Sequence, residues 1–219
     1  MAERAFIPAA GHDRWLPLYD PLTRLLGARS ALAHLVELAA PGAGERVLDL
    51  GCGTGTLVVL MAAHCPGLII TALDPDPNAL ARTRCKVQRA GFDATIVQGY
   101  ADAIAAPDAA FDLVVTSFML HHLEPAGRHA ALADAHRVLR PGGRLFALDF
   151  APPGTRSRGR IARLLHGDDD LGHTPAQLLD AELTAAGFER ARRIAERDTL
   201  FGPVEFVSGY KGAEAHTTH

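Results

Sequence analysis

The chain has 219 residues, of which 48% are hydrophobic and 21% are charged, and its formal net charge is −3. This length suits one α/β domain with a buried sheet and is short for two domains with separate cores. The composition disfavours a disordered chain, and the negative charge disfavours general binding to nucleic-acid phosphates. We therefore expect a globular protein that does not act on nucleic acid.

Cysteine usage and hydropathy indicate the compartment. The three cysteines, Cys52, Cys65 and Cys85, are not closely paired and suggest reduced thiols rather than a disulfide framework or a metal site. No apolar run reaches the roughly 18 residues of a spanning helix, and the first residues lack the apolar centre of a secretory signal. The sequence therefore predicts a cytoplasmic protein with no membrane span, and the histidine spacing predicts no metal.

The first element in chain order runs from Trp15 to Ala40 and has the apolar spacing of a helix. We interpret residues 1–40 as an N-terminal helical cap and residues 41–211 as the main domain. Residues 212–219 lack periodicity, so we expect a flexible tail.

From residue 45 onward, short β-rich runs alternate with helical patterns. The predicted strands are Arg46–Leu50, Leu68–Leu73, Ala94–Val97, Phe111–Ser117, Gly143–Phe150, Ala191–Glu196 and Val204–Tyr210. The predicted helices are Leu57–His64, Pro77–Ala90, Pro125–Leu139 and a segment capped by Thr174 that ends before Gly187. This alternation predicts an α/β fold, a Rossmann-like, doubly wound and mostly parallel seven-stranded sheet with helices on both faces.

A glycine-rich loop follows the first predicted strand and reads Asp49–Leu–Gly–Cys–Gly–Thr–Gly55. Glycines let a ligand approach the backbone and adopt the positive φ of tight turns. A dinucleotide-binding fingerprint would need a glycine at position 56, where this chain has Thr56. The GxGxG spacing therefore disfavours a dehydrogenase. Asp74 ends the second strand, where a carboxylate can accept hydrogen bonds from two ribose hydroxyls.

Four motifs occur in order: VLDLGCGTGTL at 47–57, ALDPDPNAL at 72–80, AFDLVVTSFMLHHL at 110–123 and HRVLRPGGRLFALDF at 136–150. Together they resemble the small-molecule branch of the class I S-adenosylmethionine-dependent methyltransferases, in particular the ubiquinone/menaquinone-biosynthesis C-methyltransferases. The resemblance covers about Glu45–Phe150, roughly half of the chain. It implies S-adenosyl-L-methionine as the cofactor.

The resemblance also implies roles for individual residues. Asp49, Gly51 and Gly53 would hold the methionine end of the cofactor, and Asp74 would bind the ribose hydroxyls. The backbone around Pro75, Ala101 and Asp102 would hold the adenine ring, and Thr116 is assigned to the same cofactor site. Relatives often have an acidic residue where this chain has Tyr100, so the adenine contact is only partly matched.

Transfer of a methyl group from a sulfonium needs alignment above all, and a general base is needed only when the acceptor must lose a proton. His121 and His122 follow the fourth strand and are the candidate bases, because the histidine pKa suits proton transfer near neutrality. The sequence does not choose between them, and each could instead pack beneath the following helix. Trp15 and Tyr19, with His121, are the predicted walls of a substrate pocket.

The sequence thus predicts methyl transfer to a small organic acceptor at carbon, oxygen or nitrogen. Two alternatives stay open: a non-catalytic accessory protein that binds S-adenosylmethionine, and an RNA or protein methyltransferase. Neither the acceptor nor the oligomeric state can be inferred from the sequence.

Overall fold

The computed structural model describes residues 27–151, 179–200 and 202–213. These residues form seven strands: β1 (Arg46–Leu50), β2 (Ile69–Asp74), β3 (Ala94–Gln98), β4 (Phe111–Ser117), β5 (Leu139–Phe150), β6 (Glu189–Thr199) and β7 (Gly202–Tyr210). The described helices are α1 (Ala28–Ala39), α2 (Thr56–His64), α3 (Pro77–Ala90), α4 (Pro125–Val138) and α5 (Leu179–Ala185). A short 3-10 turn covers Leu120–His122.

The strands form one sheet in the order β3-β2-β1-β4-β5-β7-β6. Strands β1 to β5 are parallel, whereas β7 runs antiparallel to both β5 and β6. The strand order reverses between β1 and β4, and such a switch point leaves a crevice outside the carboxyl ends of the strands. The predicted fold class is confirmed.

Alternate residues of the central strands face opposite sides of the sheet. On one side, which we call the α2 face, buried residues such as Val47 and Leu113 pack with α1, α2 and α3. On the other side, the α4 face, residues such as Leu48 and Val114 pack with α4 and α5. These two apolar layers hold the carboxyl ends of β1, β2, β4 and β5 at one edge.

The boundary between α4 and β5 differs from the prediction. The sequence indicates a break at Arg140–Gly143, but β5 already begins at Leu139. The Gly142 backbone N–H donates to the carbonyl of Lys211 (2.9 Å), and the Lys211 N–H donates to the carbonyl of Gly143 (2.9 Å). This pairing with the chain beyond β7 extends the strand, and the register against β4 shifts after Phe111.

Other predicted segments are described only in part. Of the predicted cap, α1 is described and contacts α2 and β5, while Trp15 and Tyr19 lie outside the described residues. The helix predicted from Thr174 is described from Leu179 onward. In the described ranges, no helix combines the length and apolar character that crossing a membrane requires.

Candidate functional site

The glycine loop joins β1 to α2 at the carboxyl edge of the sheet. Gly51, Gly53 and Gly55 all have positive φ, at 76°, 51° and 77°. A Cβ at Gly51 would overlap the Met119 side chain, and one at Gly55 would come within 2.7 Å of Thr83. A Cβ at Gly53 would meet no atom within 4 Å. The outer glycines thus allow close packing, and the middle one leaves its backbone open to a ligand.

Helix α3 holds this loop through two side chains. The Thr83 hydroxyl donates to the carbonyl of Gly53 over 2.9 Å. The Lys86 ammonium donates to the hydroxyls of Thr54 and Thr56 over 3.1 and 2.9 Å. Because these bonds join residues about thirty positions apart, the loop conformation depends on the docking of α3.

Asp74, at the end of β2, contacts the same loop. Its Oδ2 accepts from the backbone N–H of Gly53 (2.8 Å), and its Oδ1 accepts from that of Asp76 (2.9 Å). Burial raises the pKa of Asp74, the two backbone hydrogen bonds oppose that shift, and the nearby Asp76 adds to it. Each oxygen keeps a second lone pair that can accept from a ligand hydroxyl.

Asp49 is fully buried on β1, on the same α2 face as Asp74. Neither of its carboxylate oxygens has a hydrogen-bond partner among the described residues. Burial, and secondarily the charge of Asp74, raises the pKa of Asp49 to about 8. Buried carboxylates without partners are costly, so this one fits a bound group that brings a positive charge or a donor.

Thr116 and the predicted adenine residues occupy the same edge. The buried Thr116 hydroxyl also lacks a partner in the described part of the chain, and it lies on the α4 face, beside Leu50 in the register. Pro75 follows β2, and its carbonyl accepts from the Gln98 side chain over 3.1 Å. Ala101 and Asp102 lie in a turn after β3, the first half-buried and the second exposed.

His121 forms a dyad with Asp149, a residue that the sequence interpretation did not single out. The Nδ1 of His121 lies 2.7 Å from the Oδ1 of Asp149. The backbone N–H of His121 donates to Oδ2 (3.1 Å), and that of Phe150 donates to Oδ1 (2.8 Å). An ionised carboxylate only accepts hydrogen bonds, so a neutral His121 ring in this contact donates from Nδ1 and leaves Nε2 as a proton acceptor.

His122 is placed differently. Its ring centroid lies 4.0 Å from that of His121, and within the described residues no carboxylate orients its ring nitrogens. Partial removal of water from the ring by the surrounding protein, and secondarily the charge of His121, lower the pKa of His122 to about 4. Its side chain is exposed, and solvent screens part of that effect. Of the two candidate bases, His121 is the one whose ring a carboxylate orients.

Several of the predicted site residues, together with Asp149, therefore fall into two groups at one edge. The loop glycines, Asp49 and Asp74 come together on the α2 face, whereas Thr116, His121 and Asp149 lie on the α4 face. Asp149 carries the same signal as Asp74, a carboxylate at the carboxyl end of a buried strand, and that signal could have found it. Among the residues that the structure describes, no group of three or more His, Cys, Asp or Glu side chains is placed to hold a metal ion.

Comparison with known proteins agrees with this site. A family model described as "Methyltransferase domain" matches residues 47–143. The chain is 36% identical over 151 residues to a demethylmenaquinone methyltransferase of Thermus thermophilus, covering 68% of each protein. It is 38% identical over 140 residues to the 27-O-demethylrifamycin SV methyltransferase of Amycolatopsis mediterranei, covering 63% of this chain and 48% of that enzyme.

A solved structure shares the fold. The YcgJ protein of Bacillus subtilis superposes with a TM-score of 0.67 at 17% identity, over 84% of this chain and 98% of that one. The open backbone at Gly53 and the unpartnered oxygens of Asp49 fit a cationic adenosyl cofactor. The chain therefore belongs to the class I S-adenosylmethionine-dependent methyltransferases, and its cofactor is S-adenosyl-L-methionine.

Proposed function

We propose that this chain methylates a small organic acceptor whose nucleophilic oxygen or carbon must lose a proton. The His121–Asp149 dyad carries this proposal, because a histidine held by a carboxylate is suited to proton abstraction. The two relatives support it by their names, one referring to demethylmenaquinone and the other to a 27-O-demethylrifamycin. The second match spans about half of that relative, so the acceptor itself does not follow from it.

The cofactor supplies the methyl group in activated form, on a sulfonium. Asp49, Gly51 and Gly53 hold its methionine end, where the partnerless carboxylate of Asp49 faces positive charge instead of apolar protein. Asp74 accepts the ribose hydroxyls with the lone pairs that Gly53 and Asp76 leave available. Thr116 lies beside the loop, where its hydroxyl gains a partner from the ligand.

The remaining assignments are proposals of the same kind. The adenine ring contacts the backbone of Pro75, Ala101 and Asp102, at the ends of β2 and β3. Trp15 and Tyr19 line the acceptor pocket with His121. Location in the cytoplasm and the lack of a nucleic-acid partner stay predictions.

The role of His121 in this proposal is to remove the proton of the acceptor. Asp149 holds the Nδ1 proton and thereby keeps the Nε2 lone pair available. Nε2 would take the proton that the acceptor oxygen or carbon loses on receiving the methyl group, which the bound cofactor would supply. The resulting imidazolium is stabilised by the carboxylate of Asp149, which lies 2.7 Å from Nδ1.

The test compares His121→Ala with His122→Ala in an assay that follows S-adenosylhomocysteine release over a panel of small phenols, hydroquinones and alcohols. For an acceptor that the unmodified chain methylates, we expect His121→Ala to lower kcat about 10²- to 10⁴-fold. Cofactor affinity should stay unchanged, and His122→Ala should retain most of the rate. Equal turnover by the two variants would contradict the assignment, and cofactor binding without transfer to any acceptor would favour an accessory protein.

A further inference from the structure

Glu205 is a buried carboxylate beside the dyad. It lies on β7, its side chain is 5% exposed, and it pairs directly across from Asp149 on β5 and Glu196 on β6. Directly opposed residues of antiparallel strands project from the same face, with Cβ atoms about 4.5–5.5 Å apart. Three carboxylates thus form a row on the α4 face, which runs from Asp149 at its inner end through Glu205 to Glu196 at its outer end. The ring of His121 is hydrogen-bonded to Asp149.

Among the described residues, Arg193 supplies positive charge at the outer end of this row. The Arg193 Nη1 lies 3.8 Å from the Oε2 of Glu205 and 3.6 Å from the Oε2 of Glu196. The Arg193 side chain is 41% exposed, so solvent screens its charge. From α5, Asp180 adds a further negative charge near Glu205. The negative charge of the buried Glu205 is therefore only weakly compensated by the positive charge of Arg193.

This environment makes the charge of Glu205 variable near neutral pH. Burial raises the pKa of Glu205 to about 7, Arg193 opposes the shift, and Asp180, Asp149 and Glu196 add to it. Asp149, in contrast, accepts three hydrogen bonds, from the His121 ring and from the backbone N–H groups of His121 and Phe150. Of the two opposed acids, Glu205 is the one placed to take a proton.

We propose that Glu205 is a positioning residue that acts through Asp149 to set the basicity of His121. This inference rests on the proposed role of His121 as the base. An ionised Glu205 adds negative charge behind Asp149 and stabilises the imidazolium form of His121, whereas a protonated Glu205 does not. The strength of the base is then set by a residue on β7 in addition to its own hydrogen-bond partner.

The first test follows the ring protons of His121 by NMR as pH is varied, with His121→Ala assigning the signal. In Glu205→Gln, we expect the His121 midpoint to fall by about 0.5–1 pH unit, the size of one screened charge at this separation. Glu196→Gln is the matched control, because it removes the same charge one strand further out and should shift the midpoint less. If Glu205→Gln disturbs the fold, Glu205→Met provides a neutral side chain of similar length and should give the same fall.

The second test measures kcat/KM against pH in the holoenzyme. At pH 8, where Glu205 of the unmodified chain is ionised, the weaker base should make Glu205→Gln about threefold slower, whereas at pH 6, where Glu205 is largely protonated, the two chains should differ by less than about twofold. If Glu205 had a purely structural role, Glu205→Gln would lower kcat/KM by the same factor at pH 6 and at pH 8. Parallel profiles, or an unchanged His121 midpoint in Glu205→Gln, would overturn the inference. If no acceptor is methylated, the proposed function fails, and the NMR titration still decides whether Glu205 acts on His121.

Discussion

At the carboxyl edge, the acidic residues on the two faces of the sheet differ in their hydrogen-bond partners. On the α2 face, Asp49 has no hydrogen-bond partner among the described residues, and Asp74 is held by backbone N–H groups alone. On the α4 face, Asp149 accepts three hydrogen bonds, one of them from a histidine ring. In the proposed mechanism, the α2 face presents a site whose charge a bound cofactor completes, and the α4 face presents a proton acceptor that the chain's own residues organise.

The largest expected effect tests the α4 face. Asp149→Asn replaces an obligate acceptor with an amide that can donate to Nδ1, so the His121 proton moves to Nε2 and the base is lost. We expect kcat to fall about 10²- to 10⁴-fold. Initial-rate kinetics with a methylated acceptor measures this loss.

Cofactor affinity provides the control for this variant. Asp149 lies on the face opposite Asp49 and Asp74, so calorimetry should give a Kd for S-adenosylmethionine close to that of the unmodified chain. A variant that binds the cofactor normally and keeps full turnover would show that the dyad is structural.

The next effect tests the α2 face through pH. Since the pKa of Asp49 is raised to about 8 in the free protein, this residue is mostly protonated at pH 7. A cationic ligand favours the ionised form, so binding of S-adenosylmethionine should release a proton. Affinity should rise by up to about tenfold per pH unit as pH approaches 8 and then level off. Calorimetry in buffers of different ionisation enthalpy measures the released proton directly.

The raised pKa of Asp49 has the opposite consequence for stability, which should fall as pH rises. The pKa of Asp49 is higher in the folded free chain than the usual value of 3.8 for an aspartate in an unfolded chain. The folded state therefore binds an extra proton between these values, and this contribution to stability is lost as pH rises from about 4 to 8.

Asp49→Asn is the control that separates the two consequences. It should abolish proton release and weaken cofactor binding about 10- to 100-fold, as expected for losing a charge-assisted contact. The free protein should be no less stable at pH 8, because the buried charge is gone. Asp112→Asn, at the opposite edge where Arg46 and Arg140 contact the carboxylate, should leave cofactor binding unchanged. Proton release that persists in Asp49→Asn would assign it to another group.

The smallest effect concerns the helix that holds the loop. Thr83→Val removes the hydroxyl that bonds to the carbonyl of Gly53, and a hydrogen bond of this kind contributes about 1 kcal/mol. We expect cofactor affinity to fall about fivefold. Thr184→Val removes a comparable hydroxyl, which donates to the carbonyl of Asp180 in α5, and should not change cofactor affinity. Equal affinities for the two variants would show that the loop holds its shape without the hydrogen bond from Thr83.

The sequence by itself determined the fold class, and it also named the residues that are proposed for the cofactor half of the site. Asp49, Gly51 and Gly53 lie within five consecutive residues, and Asp74 ends the neighbouring strand, so local spacing and the parallel order of β1 and β2 suffice to bring them together. Only the role of Asp74 in bonding to the Gly53 N–H needed the structure.

The proton-accepting half was decided by tertiary structure. His121 and Asp149 are 28 positions apart, and Glu205 lies on an antiparallel strand beyond them. Their meeting depends on the pairing of β4, β5 and β7, which no local pattern specifies. The proposal of His121 over His122 as the base has the same cause, because the two rings lie 4.0 Å apart and the Asp149 carboxylate is what distinguishes them.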